Sequence, residues 1–533
     1  MKKFLKKHGL TRCISATTGF IGIILFIVAA FLKNSNVAMT INVIGFLIFL
    51  ISGLVFFIKS KKNNITKLLI FLAFVVVLMS WIMPYGIFQG VDFYDNGMNR
   101  IGLGDIGQTL FAAIYWSIDK ILFLIVLSIF YSVLSKTPGY KALVNSIAKK
   151  LKKHEFATAI VMSLIIVILT SFLNQSFVVL VFIPFMISIL LNMNIDKLTT
   201  FAITFGSVLV GLICPLYGTE SLFMFNHILN LNTSTGIVYR LIILLVSFFL
   251  YSFFICFRLK KVLKEKNNED ISDVAFAVTT DSKKGKKTPI VILFVFLFVI
   301  TILGFINWKE TFNIDCFEKF HKWLTGLSIG KDFHIFAYIL GSLSMIPEKA
   351  KIIGSFDLIS MVIILLILTI IVAVANKVKL SNFFETVIDG IKQMVLPVTC
   401  LVGVYFVFSL CSNVSPFMTS ISNWALNLTD GLNPYITTIL CFITRIFHVE
   451  AGFTAYSIGS FLTHAFADNL SIAHTIYLST YGLVQVFMPT SIIMLIGLKL
   501  MNIDYKSWFK YIWLFVLSIF IILLVLFTVL VYI

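Results

Sequence analysis

The sequence predicts an all-α polytopic membrane protein with about 11 transmembrane helices and two re-entrant helical hairpins, arranged as inverted repeats. Three observations carry that expectation. Hydrophobic residues make up 59% of the 533 residues and charged residues 12%, with a mean hydropathy of +1.01, a balance foreign to soluble globular domains. Many apolar runs reach about 20 residues, enough to cross a bilayer core. Two of these runs are interrupted by glycine, proline and hydroxyl residues: FGSVLVGLICPLYGTES (Phe205 to Ser221) and YGLVQVFMPTS (Tyr481 to Ser491). In each, a Gly-Leu pair (Gly211-Leu212, Gly482-Leu483) precedes a threonine placed eight positions after the glycine, Thr219 or Thr490. Backbone in a bilayer unwinds only where protein or a water-filled cavity satisfies the freed groups. Interrupted segments at corresponding places in two halves therefore point to a binding site for something carried across.

In chain order, crossings are expected near 14–32, 37–58, 68–88, 109–135, 198–226, 236–258, 289–306, 356–375, 393–412, 471–500 and 511–533. The stretches 157–192 and 434–466 each have a polar break near the centre, and their arms are short for a full span. They read as hairpins that enter and leave on one side, with a pair of ordinary short crossings as the alternative. The run from Ile14 to Leu32 is long for a signal peptide and lacks a small-x-small cleavage site. The expected organisation is an extra pair of helices (1–67), a first half (68–258), a polar basic linker (259–288) and a second half (289–533). Residues 307–355 and 414–430 have the composition of interfacial segments.

The net charge of +18 does not mark a nucleic-acid binder, because the basic residues sit in short loops with no aromatic-interleaved basic face. Their distribution sets orientation instead. Segments assigned to the inside carry 31 of the 42 Lys and Arg, and the outside eight. That places the N-terminus in the cytoplasm and the C-terminus outside. Lys120, Arg240 and Arg445 fall within membrane segments. The seven cysteines form no CxxC pair and most lie in apolar segments, as small core residues. Phe-, Ile-, Lys- and Asn-rich usage suggests a bacterial cell membrane as the location.

Candidate site residues cluster at the breaks. The first hairpin tip, Thr170 to Ser176, offers Ser171, Asn174, Gln175 and Ser176, whose oxygens and N–H donors suit a cation or a carboxylate. Helix capping is the structural alternative. The first interrupted crossing adds Gly211, Gly218, Thr219 and Glu220, an ionisable group costly within a span. The second tip, Thr444 to Thr454, holds Arg445, His448, Glu450 and Thr454. Arg445 presents a planar fork suited to a carboxylate, and His448 and Glu450 are candidates for proton handling. Arg445 pairing with Glu450 to hold the tip together is the competing account. The second interrupted crossing supplies Gln485, Thr490 and Ser491. Asp119-Lys120 reads as an internal pair or boundary marker, and His464 and Asp468 as near-surface residues.

From about residue 60 onward the chain resembles the ion-transporter superfamily, in particular its YfcC-like C4-dicarboxylate anaerobic carrier and AbgT-like branches. The resemblance is carried by LMSWIMPYGIF (Leu78 to Phe88), RIGLGDI (Arg100 to Ile106), the stretch Ile129 to Glu155, the stretch Phe182 to Leu212, and MPTSIIMLIGLKLMNIDYKSWFKY (Met488 to Tyr511). It implies inverted repeats, a scaffold-and-transport-domain homodimer and elevator-type secondary transport of small carboxylates. By position it carries the tip and break roles onto Ser171 to Ser176, Gly211 to Thr219, Thr444 to Thr454 and Gln485 to Ser491. The sequence RIFHVEAG at the second tip departs from the small residues usual there.

The expected function is a secondary transporter of a small organic anion, embedded in the lipid bilayer and driven by a sodium or proton gradient, with Na+ as the one possible bound ion. Substrate contacts fall to the residues of both tips with Thr219, Thr490 and Ser491. Ion coupling falls to Gly211, Gly218, Glu220 and Gln485. No GxxxxGK[ST] or HExxH motif occurs. A channel or structural subunit, and a membrane enzyme using His448 and Glu450, are the rival classes.

Overall fold

The computed structural model describes residues 10–32, 34–59, 65–265, 273–278, 285–330, 333–334, 353–449 and 451–532. The chain opens with a pair of apolar helices, α1 (Leu10–Ala30) and α2 (Ser35–Ile58), packed against each other. Their close approach is made at small residues. A Cβ on Gly22 would lie 2.8 Å from the carbonyl oxygen of Gly45. The helix α3 (Ile65–Ser80) follows. The crossing expected over 68–88 stops at Ser80, because Pro84 and its neighbours cannot extend a helix. The chain turns instead into a short antiparallel hairpin, β1 (Gly86–Gln89) and β2 (Asp92–Asp95), with Ile87 paired to Tyr94. Gly90, at φ +65°, makes its turn.

The chain continues with α4 (Leu103–Lys136), α5 (Pro138–Leu151), α6 (Glu155–Phe172), a 3₁₀ turn (Ser176–Val181), α7 (Ile183–Asn192), α8 (Lys197–Gly211), α9 (Glu220–Ile228) and α10 (Ile237–Glu265). Thr137 caps α5, its Oγ1 accepting from the Tyr140 N–H, and Pro138 occupies the first helical position. Further along, the described residues form α11 (Thr288–Phe305), α12 (Trp308–Phe312), α13 (Cys316–Gly326), α14 (Leu358–Ala375), α15 (Leu380–Ser409), α16 (Met418–Leu426), α17 (Pro434–Phe447), α18 (Ala451–Ala465), α19 (Leu470–Gln485), α20 (Ile492–Leu500) and α21 (Tyr505–Tyr532).

Among the described residues nine helices are long and apolar enough to cross a membrane: α1, α2, α4, α6, α10, α11, α14, α15 and α21. The chain is a nearly all-helical polytopic membrane protein. Two expectations change in detail. The crossing expected over 393–412 starts earlier, in one 30-residue helix from Leu380, α15, with Pro397 inside it and a π turn at its end. The arm α6 is by itself 18 residues of span-length helix.

The longest helices, α4 and α15, run along each other, and α14 packs on α4. Ser128 Oγ of α4 donates to the Gly390 carbonyl at 2.6 Å. A Cβ at Gly390 would come within 3.1 Å of the Ile129 Cα. The elements around the breaks repeat a packing order. The arm α6 lies on α8, as α17 lies on α19, and the closing helices α10 and α21 pack together. The small β-hairpin seals one end of the second set. The Gly90 N–H donates to Ser460 Oγ of α18 at 2.8 Å and the Gly86 N–H to Thr419 Oγ1 of α16 at 3.1 Å.

Candidate functional site

Opening a helix inside a membrane protein frees backbone groups that must find partners. At the first break, residues 212–219, the partners can be named. The N–H groups of Leu216, Tyr217 and Gly218 all converge on the Ser171 carbonyl, at 3.1, 3.1 and 2.9 Å, and the Thr219 N–H donates to the Leu173 carbonyl at 2.8 Å. The freed carbonyls are taken by Arg240, fully buried on α10. Its Nη1 donates to the Pro215 and Leu216 carbonyls at 3.1 and 2.8 Å, and its Nη2 to that of Thr233. The first hairpin tip and the first break are thus one hydrogen-bonded unit. Gly218 is required there, since a Cβ would sit 2.3 Å from the Leu173 carbonyl oxygen.

The second break, residues 486–491, is completed differently. Trp508 Nε1 donates to the Val486 carbonyl at 2.9 Å and Tyr505 Oη to that of Phe487 at 2.6 Å, both from α21. Helix α19 and the first break meet back to back. A Cβ at Gly482 would lie 2.0 Å from the Leu212 carbonyl oxygen and 2.4 Å from the Ile213 Cα.

Beside both breaks lies a small cavity of about 50 Å³. Its wall takes Ser176 and Phe177 from the first tip, Leu212, Thr219, Glu220 and Ser221 from the first break, and Arg445 and Val449 from the second tip. Tyr481, Gln485, Ile492 and Ile493 come from the second interrupted segment, and Lys120 and Tyr405 from α4 and α15. Arg445 is 1% exposed. Its Nη1 reaches Thr490 Oγ1 and the His448 carbonyl, each at 3.5 Å, and its guanidinium carbon lies 4.6 Å from the centre of the Tyr481 ring. The Tyr481 hydroxyl donates to the Val449 carbonyl, tying tip to break. Thr219 caps α9 with a backbone φ of +79°, rare for a β-branched residue and a form of strain that collects at functional sites.

Of the residues singled out in the sequence, the cavity wall gathers Ser176, Thr219, Glu220, Arg445 and Gln485, and Thr490 stands behind it as a partner of Arg445. The others lie elsewhere. Ser171 acts through its carbonyl, while its hydroxyl donates to Ile168. Asn174 turns away, its side-chain amide reaching Asn307 Oδ1 and the Phe356 carbonyl and its N–H the Phe305 carbonyl. Gln175 buries an Oε1 that has no hydrogen-bond partner among the described residues. His448 pairs with Thr454, Nδ1 to Oγ1 at 3.0 Å, inside the hairpin. Ser491 is buried at the start of α20. Gly211 packs against Thr170, as close contact there demands. Glu450 lies outside the described residues. Sequence reasoning passed over Lys120, Tyr405 and Tyr481. A lysine in the middle of an apolar helix was the available signal, masked by the adjacent Asp119.

A cavity walled by two tips and two broken helices lies within an otherwise apolar helical bundle. The sequence profile of the C4-dicarboxylate anaerobic carriers matches residues 63–532, and the chain belongs to that family. No curated protein sequence matches it. Among solved structures the chain is similar to the YdaH transporter of Alcanivorax borkumensis, at 13% identity and a TM-score of 0.35, covering 87% of this chain and 98% of that one.

Proposed function

We propose that the protein is a secondary carrier of a small dicarboxylate, driven by a sodium or proton gradient across a bacterial cytoplasmic membrane. It would work as a homodimer by an elevator-type movement, with its N-terminus inside and its two sets of broken elements related as inverted copies. The observation that supports this most directly is the single cavity bounded by both tips and both breaks, with the buried guanidinium of Arg445 in its wall. A guanidinium fork matches a carboxylate and stays charged when buried. The N-terminal ends of α9 and α20 begin beside the same cavity and add partial positive charge towards an anion. Tyr481 holds the guanidinium plane through its ring and Thr490 through its hydroxyl, so the fork is oriented before substrate arrives. Glu220 is the group best placed to take the coupling cation, being an acidic side chain in that wall.

The test is uptake of radiolabelled succinate by protein reconstituted in liposomes, under an imposed sodium gradient and separately under a pH gradient. Wild-type protein is expected to accumulate succinate under one of the two. Removing one partner of a buried charge pair costs about 2–5 kcal/mol. Arg445→Gln should therefore weaken half-saturation by about 30-fold or more while the variant still purifies as folded protein. Absence of uptake under both gradients, or wild-type uptake by Arg445→Gln, would contradict the proposal.

A further inference from the structure

We infer that α9 and α19 enclose a hydrated seam that carries protons between the surface and the cavity, with the His474 imidazole as its proton-binding station. The inference rests on the carrier reading above and adds to it the ion and its route. Four side chains on these two helices are 3% exposed or less: Asn226 on α9, and His474, Tyr477 and Thr480 on α19. Both side-chain polar atoms of Asn226, both ring nitrogens of His474 and the hydroxyls of Tyr477 and Thr480 have no hydrogen-bond partner among the described residues. A buried polar group without a partner costs about 1–3 kcal/mol, and proteins meet that cost with internal water. So many open donors and acceptors on two adjoining helices make a lining for water. The Phe225 ring of α9 lies 5.3 Å from the ring of His474 and 6.0 Å from that of Tyr477, which brings the two helices together at this point.

The seam leads to the cavity. Residues 474, 477 and 481 recur at i, i+3 and i+7, one face of α19, and Tyr481 stands in the cavity wall. Helix α9 starts from the same wall, where its first residues Glu220 and Ser221 stand. About 10 Å of helix axis separates His474 from Tyr481, a distance that the two intervening hydroxyls and a few waters can bridge. In the other direction, about one and a half helical turns separate His474 from the exposed Asn469. An imidazole with both nitrogens open takes a proton at one from the surface side and releases one from the other towards Glu220; a turn of the ring then restores the first tautomer. The surrounding titratable groups are otherwise engaged. Arg240 of α10 is the charge that acts on His474, and it is committed to three carbonyls. Cys441 of α17 donates to the Tyr477 carbonyl at 3.5 Å. Tyr505 of α21 is bound at the second break and Lys197 of α8 to Asp273. His227 of α9 and His464 of α18 are exposed.

The experiment follows labelled succinate in liposomes in two modes, accumulation driven by an imposed pH gradient and counterflow with no gradient, while entrapped pyranine reports proton entry. Wild-type protein, His474→Gln and Asn226→Leu are measured together. In the wild type, succinate entry should bring protons with it. His474→Gln should lower pH-driven accumulation by about tenfold or more while counterflow stays at the wild-type rate. Asn226→Leu, which puts an apolar side chain of similar size into the seam, should do the same. Wild-type accumulation by His474→Gln overturns the inference and leaves the carrier reading standing. So does a wild-type protein that accumulates succinate on a sodium gradient without moving protons. Loss of counterflow along with accumulation, in a variant that folds, marks a purely structural role and also overturns it. A wild-type protein that moves no succinate in any mode overturns both readings. Should His474→Gln fail to fold, Asn226→Leu decides. Lost accumulation with retained counterflow supports the path, and wild-type accumulation overturns it.

Discussion

Replacing Arg240 with leucine is expected to damage the first break more than any single polar substitution at the second. Arg240 is fully buried and its guanidinium serves three carbonyls, two of which, Pro215 and Leu216, belong to the opened helix. A buried acceptor left without a donor costs about 1–3 kcal/mol, so the two break carbonyls alone amount to about 2–6 kcal/mol. Removing the charge returns its own desolvation cost, which brings the net loss towards the lower end. The second break gives an internal comparison. Tyr505→Phe deletes one donor, to the Phe487 carbonyl, and should cost about 1–3 kcal/mol. Arg240→Lys keeps a charge but loses the fork that reaches two carbonyls together, and should fall between them. Thermal unfolding of the purified proteins in detergent, followed by tryptophan fluorescence, should rank wild type above Tyr505→Phe, then Arg240→Lys, then Arg240→Leu. Succinate uptake should fall in the same order. An Arg240→Leu protein that melts and transports as the wild type does would refute this account of how the break is held open.

Gly482→Ala places a methyl group 2.0 Å from a backbone oxygen of the first break and should destabilise by about 1–3 kcal/mol, with uptake lost in proportion. Gly107→Ala on α4, where nothing lies within 4 Å, should be neutral or stabilising by up to about 1 kcal/mol. Equal melting temperatures for the two variants would count against the back-to-back contact. In the short described stretch 273–278, Lys197 and then Asn502 hold the Asp273 carboxyl below its ordinary range. A depressed value means that the docking is complete above the ordinary carboxylate pKa of about 3.9 and fails only as pH falls through the lowered value. Hydrogen-exchange protection of the Ala275 amide, bonded to the Leu500 carbonyl at 2.8 Å, should therefore be constant from pH 8 to pH 5. Asp273→Asn should lose protection throughout that range. A wild-type protection factor that drops near pH 6 would exclude this carboxylate as the anchor.

The breaks were legible because glycine, proline and hydroxyl residues inside an apolar run have few other uses in a bilayer. Arg445 was legible for a related reason, since a guanidinium at that depth must have a partner. What sequence could not resolve was which atoms do the work. Ser171 stood out for its hydroxyl, but the structure uses its carbonyl. His448 and Thr454 stood out as separate ligands, but they satisfy each other. Lys120 looked fully accounted for by its neighbour Asp119, and that pair does form. Only the meeting of α4 with the tips reveals that the ammonium also faces the cavity. Tyr405 and Tyr481 carry no periodic signal that distinguishes them from packing aromatics. The β-hairpin was lost because Gly86 to Asp95 follows an apolar run without an obvious strand alternation, and its partners Thr419 and Ser460 lie more than 300 residues away.

Each opened segment is mended by the second helix after it: Pro215 and Leu216 by Arg240, Val486 and Phe487 by Trp508 and Tyr505. During synthesis, then, neither kink waits for the other half of the polypeptide to emerge. The first can close once about 25 further residues have been added, about one to five seconds at ordinary ribosomal speeds of about 5–20 residues per second. The interval in which naked peptide groups face lipid is correspondingly brief, for a chain whose route through the membrane would otherwise expose them twice.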